Sequence, residues 1–207
     1  MCAQNLKPTS IAALVLFAAV CQMSSAARAA DADLGRFWGD FGLGYGNMQT
    51  SSGAGTPGGS GLWLDVVAGA RISDQWLLGL DIGGLGLHMS GGNYEPCGCN
   101  DSIYGEAITN VFLAFQYEPK SDHGWFLGAG AGEVLYSNKF LQDLTGNSRS
   151  GSGHGGVVRV GYDWPTGARW HVEAALSYER GDVGMYAPVS GDFNFSIVAA
   201  SFHVAYH

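Results

Sequence analysis

Three consecutive pieces decide the fold: GGVVRVGYDW (Gly155–Trp164), a break PTGA (Pro165–Ala168) and RWHVEAALSYER (Arg169–Arg180). A strand alternates its side chains across the sheet, so period two sorts each arm into two faces. In the first arm Val158, Val160, Tyr162 and Trp164 share one face, against Val157, Arg159, Gly161 and Asp163. In the second, Trp170, Val172, Ala174, Leu176 and Tyr178 stand against His171, Glu173, Ala175, Ser177 and Glu179. Each arm has one apolar face and one charged or small face, and both apolar faces meet the turn with a tryptophan. A soluble sandwich would bury the apolar face inside. A membrane barrel would turn it outward into lipid, with Trp164 and Trp170 at the headgroup level.

The same alternation runs outward from this hairpin in both directions. Phe37, Gly39, Phe41, Leu43 and Tyr45 form one face of a first strand, and Met48 to Gly61 reads as a long Gly/Ser/Thr loop. Leu62 to Ile72 is a second strand, with Trp63, Asp65, Val67, Gly69 and Arg71 on its charged or small face. A tight Ser73–Gln75 turn leads to Trp76, Leu78, Leu80 and Ile82; Leu85, Leu87 and Met89 then fall one step out of phase, which predicts a bulge at Gly83–Gly84. Ser90 to about Ser102 is a second long loop. Strand four turns Ala107 to Tyr117 outward at every second position, and strand five runs from Trp125 to about Tyr136. Asn138–His154 reads as a third loop, about Gly181 to Asp192 as a fourth, and Phe193 onward as the last strand.

About eight strands result, each roughly ten residues or longer, the length a tilted membrane strand needs. Connections alternate: short after strands two, four and six, long after one, three, five and seven. Outer-membrane barrels sort their connections this way, with short periplasmic turns and long extracellular loops. Aromatics gather at the short-turn end. Trp76, Tyr117, Trp125, Trp164, Trp170 and Tyr206, with Phe37, would form one interfacial girdle.

The fold expected is therefore an all-β, eight-stranded antiparallel up-and-down transmembrane barrel. Residues 1–29 read as a signal peptide, with Lys7, an apolar run Ile11–Val20 and a small-x-small site at Ala27–Ala29. A lipidated Cys21 is the alternative, with Val20 a poor match before it. Residues 30–207 are the barrel domain, exported by the Sec pathway to the outer membrane of a Gram-negative cell. A net charge of −8 excludes nucleic acid as a partner, since such sites are basic. Cys97 and Cys99, one residue apart, are a possible disulfide, to each other in a strained ring or between chains. Two thiols without a nearby His or Cys pair are too few for a metal.

In strand pattern, loop asymmetry and stretches such as Trp125–Tyr136, WFLGAGAGEVLY, the mature chain resembles the small outer-membrane β-barrel superfamily. That group contains the transmembrane domain of outer-membrane protein A and its single-domain, porin-like relatives. The resemblance implies outer-membrane lipid and lipopolysaccharide as surroundings, the barrel-assembly machinery as a partner, and no cofactor. One departure is at the end: Phe202, Val204 and Tyr206 alternate as in the family, but His207 comes last where an aromatic usually stands.

Chemistry-bearing side chains collect on the inward face. Asp65, Arg71, Asp81, Glu106, Arg159, Asp163, His171 and Glu173, with Asp40 and Glu179, predict a lumen charge network. In so narrow a barrel these charges must pair, because a buried unpaired ion is costly. Arg71 and Arg159 would each serve two or more carboxylates, with Asp163, Glu173 and Glu106 the candidates for Arg159. Asp163 and His171 would bond across the six–seven turn. The function expected is non-enzymatic: a plugged barrel with a structural or surface-interaction role through its extracellular loops. A lipid-modifying hydrolase of the lipid A deacylase kind and a small pore are the alternatives, together with a soluble barrel around an apolar ligand. The hydrolase needs a Ser beside a His–acid pair, and His171 is the inward His this reading supplies; His88, His123 and His154 lie in or near loops.

Overall fold

A computed structural model describes residues 37–51, 58–88, 104–119, 124–140, 149–186 and 191–206. Residues up to Phe37 and residues from Trp38 onward fall into two units, and the barrel is the second. Its strands are β1 (Phe37–Thr50), β2 (Gly59–Arg71), β3 (Trp76–His88), β4 (Tyr104–Tyr117), β5 (Gly124–Phe140), β6 (Arg149–Pro165), β7 (Trp170–Met185) and β8 (Asp192–Tyr206). Each pairs with its chain neighbour, and β8 closes on β1 through Gly39↔Tyr206 to Thr50↔Phe195, an eight-stranded closed barrel. Closure leaves no open edge whose backbone groups would need partners in lipid. Among the described residues no helix is long and apolar enough to cross a membrane, which says nothing of strands.

Alternation gives each strand two fates. The outer face of the barrel carries Phe41, Leu43, Tyr45, Leu62, Leu64, Val66, Leu113, Leu127, Val158, Val160, Leu176, Phe202 and Val204, all exposed. The lumen face carries the buried side chains, in layers. Met48, Trp63, Leu85, Ile108, Phe112, Val134, Tyr136, Phe193, Phe195 and Ile197 fill the end toward the longer connections. Trp38, Val67 and Leu77 form a smaller cluster toward the other end. Charged residues lie between and below these layers, with Glu106 beside Leu87 inside the upper one.

Four expectations about local structure change. β3 runs unbroken, with Asp81↔Val67, Gly83↔Asp65 and Leu85↔Trp63 in one register, so there is no bulge at Gly83–Gly84. Leu85 and Leu87 are apolar at the inward positions because they join the lumen plug, and the outward positions opposite are Gly84 and Gly86. β1 reaches Thr50 and β2 starts at Gly59, so Met48 belongs to the core rather than to a loop, and Asn47 Nδ2 donates to Ser60 Oγ at 2.8 Å. β5 and β6 continue their ladder to Asn138↔Arg149, which places His154 in a strand, exposed and opposite Glu133 and Asp182. β7 likewise extends to Met185. Polar residues at these strand ends satisfy the ladder as well as apolar ones, and period-two apolarity does not register them.

Strand extension also trims the contrast in connections. The short side has 72–75, 118–123 and 166–169; the other has 51–58, 89–103, 141–148 and 186–191, the last no longer than 118–123. At the short turns backbone groups are satisfied locally, by Ile72 N–H to Trp76 O at 2.8 Å and Thr166 N–H to Trp170 O at 2.9 Å. Pro165 ends β6 at a position where its missing N–H costs no ladder bond.

Candidate functional site

The lumen charges separate into several groups. On β6, Arg159 lies opposite Gly128 and Ser177, whose small side chains leave its stem free to extend across the lumen. Its guanidinium reaches the far wall. Nη2 donates to Asp65 Oδ2 and, at 3.3 Å, to Asp81 Oδ2, while Nη1 lies 3.7 Å from Asp40 Oδ2. The acids come from β1, β2 and β3, all buried. The expectation that Asp163, Glu173 and Glu106 would be its partners is thus corrected: Arg159 is paired with Asp40, Asp65 and Asp81. Nearness in sequence and on the sheet favoured the former, but a long side chain in a narrow barrel spans the diameter instead.

His203 on β8 joins this group. Its ring lies beside Gly42, its cross-strand partner on β1, where a β-carbon would sit 2.5 Å from Cε1 and 2.6 Å from Nδ1. Only glycine leaves room for the imidazole. Nδ1 is 3.0 Å from both oxygens of Asp40 and 3.8 Å from Asp65 Oδ2, and Nε2 is 2.6 Å from Ser201 Oγ. With Nδ1 facing carboxylates, its N–H donates to Asp40, and the Ser201 hydroxyl donates to Nε2. His203 and Ser201 did not emerge from the apolar pattern of the C-terminal strand. The signal was present, since period two that turns Phe202 and Val204 outward must turn Ser201, His203 and Ala205 inward.

Toward the short turns the other predicted residues find separate partners. His171 Nδ1 donates to Asp163, at 2.9 and 2.8 Å from its two oxygens, across the β6–β7 turn. Arg71, half-buried, donates to Glu118 Oε2 and to Asp74 O, both at 3.0 Å. Glu118 also accepts from Gln116 Nε2 at 3.0 Å; it is buried just beyond β4, beside the turn, where the strand alternation gives no sign of it. Glu173 is buried opposite Asp163 and His203 in register, and Glu106 is buried opposite Leu87. Higher up, Asn110 Nδ2 donates to Glu179 Oε2 at 2.6 Å, and Gly83 N–H donates to Asn110 Oδ1 at 2.7 Å.

On the outside, Trp76 packs on Tyr117 at 4.8 Å between ring centroids, Trp125 on Tyr162 at 5.3 Å, Tyr162 on Trp164 at 4.8 Å and Trp170 on Tyr206 at 5.3 Å. Arg169 Nη1 donates to Tyr206 Oη at 2.7 Å. These rings stand at the short-turn end. The opposite limit of the apolar surface is a polar row including Asn47, Glu133, His154, Arg180 and Asp182, all exposed. From Val198 to Tyr206 on β8 the band between them is about 20 Å tall, for a rise near 3.3 Å per residue and a tilt of about 40°. Cys97, Cys99 and His123 lie outside the described residues, and His88 ends β3.

Ser201, His203 and Asp40 reproduce the hydroxyl–imidazole–carboxylate order of nucleophilic catalysis. Their setting differs. All three are nearly sealed from solvent, and the backbone of β8 is engaged in ladders on both sides. A carboxylate pair and an imidazole nitrogen within 4.8 Å of one another also make Asp40, Asp65 and His203 a donor set of the kind that holds a metal ion.

No family model and no curated protein matches the chain. Solved structures do. Neisserial surface protein A is similar over 81% of this chain and 96% of its own, at 16% identity and a TM-score of 0.49. Ail, the attachment invasion locus protein of Yersinia pestis, in complex with the heparin analogue sucrose octasulfate, is similar over 82% of this chain and 99% of its own, at 9% identity and a TM-score of 0.47. A major outer-membrane protein from Thermus thermophilus is similar over 81% of this chain and 98% of its own, at 14% identity and a TM-score of 0.45. At these identities and TM-scores nothing further is drawn from the likenesses; the eight-stranded closed barrel rests on the chain's own strand pairing.

Proposed function

We propose that this chain is a non-enzymatic outer-membrane barrel, sealed by its own side chains, whose interactions are made by the end bearing the longer connections. The observation that carries the reading is the reversal of faces. Large apolar side chains stand exposed around the outside in a band with an aromatic edge, while carboxylates, Arg159, His171 and His203 are buried within. In water this would be a costly inversion; in a bilayer it is the arrangement that solvates both faces. Residues 1–29 would be removed on Sec export, and residues 30–207 inserted by the barrel-assembly machinery among outer-membrane lipid and lipopolysaccharide. The short turns would face the periplasm. Extended ends of β5, β6 and β7 would then project outward as ladder rather than loop, a rigid platform for a surface partner.

Membrane fractionation, with a gel run on heated and unheated protein, tests this. The protein should partition with outer membranes and shift mobility only when boiled. A detergent-free soluble fraction with no shift would sink the reading.

A second reading, the hydrolase, has one specific observation behind it, the Ser201–His203–Asp40 chain. Burial opposes it, because a substrate must reach the serine and an oxyanion needs free donors. Folded protein treated with a fluorophosphonate should remain unmodified at Ser201; a stoichiometric adduct there would establish the hydrolase instead.

A further inference from the structure

We infer that the closed barrel binds one divalent transition-metal ion, of the zinc or manganese class, between Asp40, Asp65 and His203. The three donors come from β1, β2 and β8, so the first, second and last strands meet at this point and the site exists only once the barrel closes. Ligands about 2.0–2.1 Å from a tetrahedral ion lie roughly 3.3 Å from one another. His203 Nδ1 is 3.0 Å from Asp40 Oδ2 and 3.8 Å from Asp65 Oδ2, the oxygen that also accepts from Arg159, and the two distances bracket that separation. One imidazole nitrogen with two carboxylates suits zinc and manganese, and suits magnesium or calcium less well because of the nitrogen.

A second observation, an unmet hydrogen-bonding demand, also points to a ligand. Asp65 Oδ1 is fully buried and has no hydrogen-bond partner. It flanks the spot over Gly42 where a β-carbon would collide with it and lie 2.6 Å from His203 Nδ1. A buried carboxylate oxygen without a donor is a cost that a coordinated cation removes. Charge runs the same way. Asp40, Asp65 and Asp81 face the single guanidinium of Arg159, leaving two negative charges when the imidazole is neutral. A divalent ion cancels them.

Ser201 supplies what metal-bound histidines generally have, a partner on the other ring nitrogen. When Nδ1 ligates the ion, the ring proton moves to Nε2 and Nε2–H donates to Ser201 Oγ, at the 2.6 Å already present. Apolar layers above and the Trp38–Val67–Leu77 cluster below enclose the site, so the ion is taken up as β1 and β8 join rather than afterwards.

The test refolds the full chain in detergent with zinc chloride or with chelator, removes loose metal by gel filtration and counts metal per folded chain, folding being read from the heat-dependent gel shift. About one zinc per chain is expected, with a higher melting temperature than in chelator. Ser201→Ala should weaken zinc affinity about tenfold, the lower end for an outer-shell partner. His203→Gln and Asp65→Asn should abolish retention, and Asp182→Asn, an exposed acid, should leave it intact. If the first two variants fail to fold, wild type refolded with manganese should show nitrogen coupling from an imidazole in its spin-echo spectrum, and Ser201→Ala should loosen that ion. Folded wild type that retains no zinc, retention unchanged in His203→Gln, or bound manganese without nitrogen coupling would each overturn the inference.

Discussion

His203 Nδ1 lies 3.0 Å from both carboxylate oxygens of Asp40, a contact between residues 163 positions apart that ties β8 to β1 inside the closing seam. The ladder Gly39↔Tyr206 to Thr50↔Phe195 zips the same seam from the backbone. Side-chain and main-chain closure therefore coincide. Arg159 reaches over from β6 to the same carboxylate, so one polar cluster spans the lumen from wall to wall.

Arg159→Ala should be strongly destabilising, because it leaves Asp65 and Asp81 buried without their cation. Removing one partner of a buried pair costs about 3–5 kcal/mol. Urea unfolding of the detergent-refolded variant, followed by the gel shift, measures it. Adding Asp65→Asn should restore part of the loss, since the stranded charge is then gone. Additive destabilisation in the double variant would contradict direct pairing.

Leu113→Arg should impair assembly, because Leu113 is exposed in the middle of the apolar band. Arginine at a barrel's midplane costs about 2–4 kcal/mol, falling to about 0–1 near the interface. His154→Arg, in the polar row beyond the band, should therefore assemble normally. Yields of folded protein from vesicles compare the two. Equal tolerance would remove the case for lipid contact.

Gly161→Val should also destabilise. Gly161 faces its cross-strand partner Phe126, and a β-carbon there would fall 2.5 Å from Phe126 Cε1 and 2.6 Å from Ala174 O. The ring packs where a side chain would be, so overpacking should cost about 1–3 kcal/mol. A melting temperature within error of wild type would show that the ring moves freely.

Much of this architecture was legible from alternation alone. The faces of β4 from Ala107, of β6 from Val157 and of β7 as far as Glu179 follow the period-two reading, because outward positions there are apolar apart from Thr109 and inward ones are polar, small or plug-forming. Alternation misleads where the large apolar residues point inward and the outward positions are glycine, as at Leu85 and Leu87 beside Gly84 and Gly86, and where neither face is apolar, as at the Gly/Ser-rich start of β6. Asp163 and His171 were legible because they neighbour one turn. Arg159 with Asp65 and Asp81, and His203 with Asp40, were not: those contacts depend on barrel diameter and shear, which no single strand encodes.

Phe112, fully buried among the plug residues, tests whether the lumen is sealed. Planar-bilayer recording on refolded wild type should show no large, stable conductance steps. Phe112→Ala should lose about 3–5 kcal/mol of stability yet remain closed, because Trp63, Ile108 and Val134 still fill the same layer. Stable steps in wild type would promote a channel.

Tryptophan quenching by brominated lipids measures directly whether the apolar outer face meets lipid and the charged face is sealed inside. Trp76, Trp125, Trp164 and Trp170 are exposed on the outside, whereas Trp38 and Trp63 are buried in the lumen. In vesicles, a variant keeping only the outer four should be quenched strongly by bromine placed shallow in the acyl chains. A variant keeping only Trp38 and Trp63 should be quenched little at any depth. Equal quenching of both sets, or none of the outer four, would mean that the outer face does not lie in lipid or that the lumen is not sealed from it.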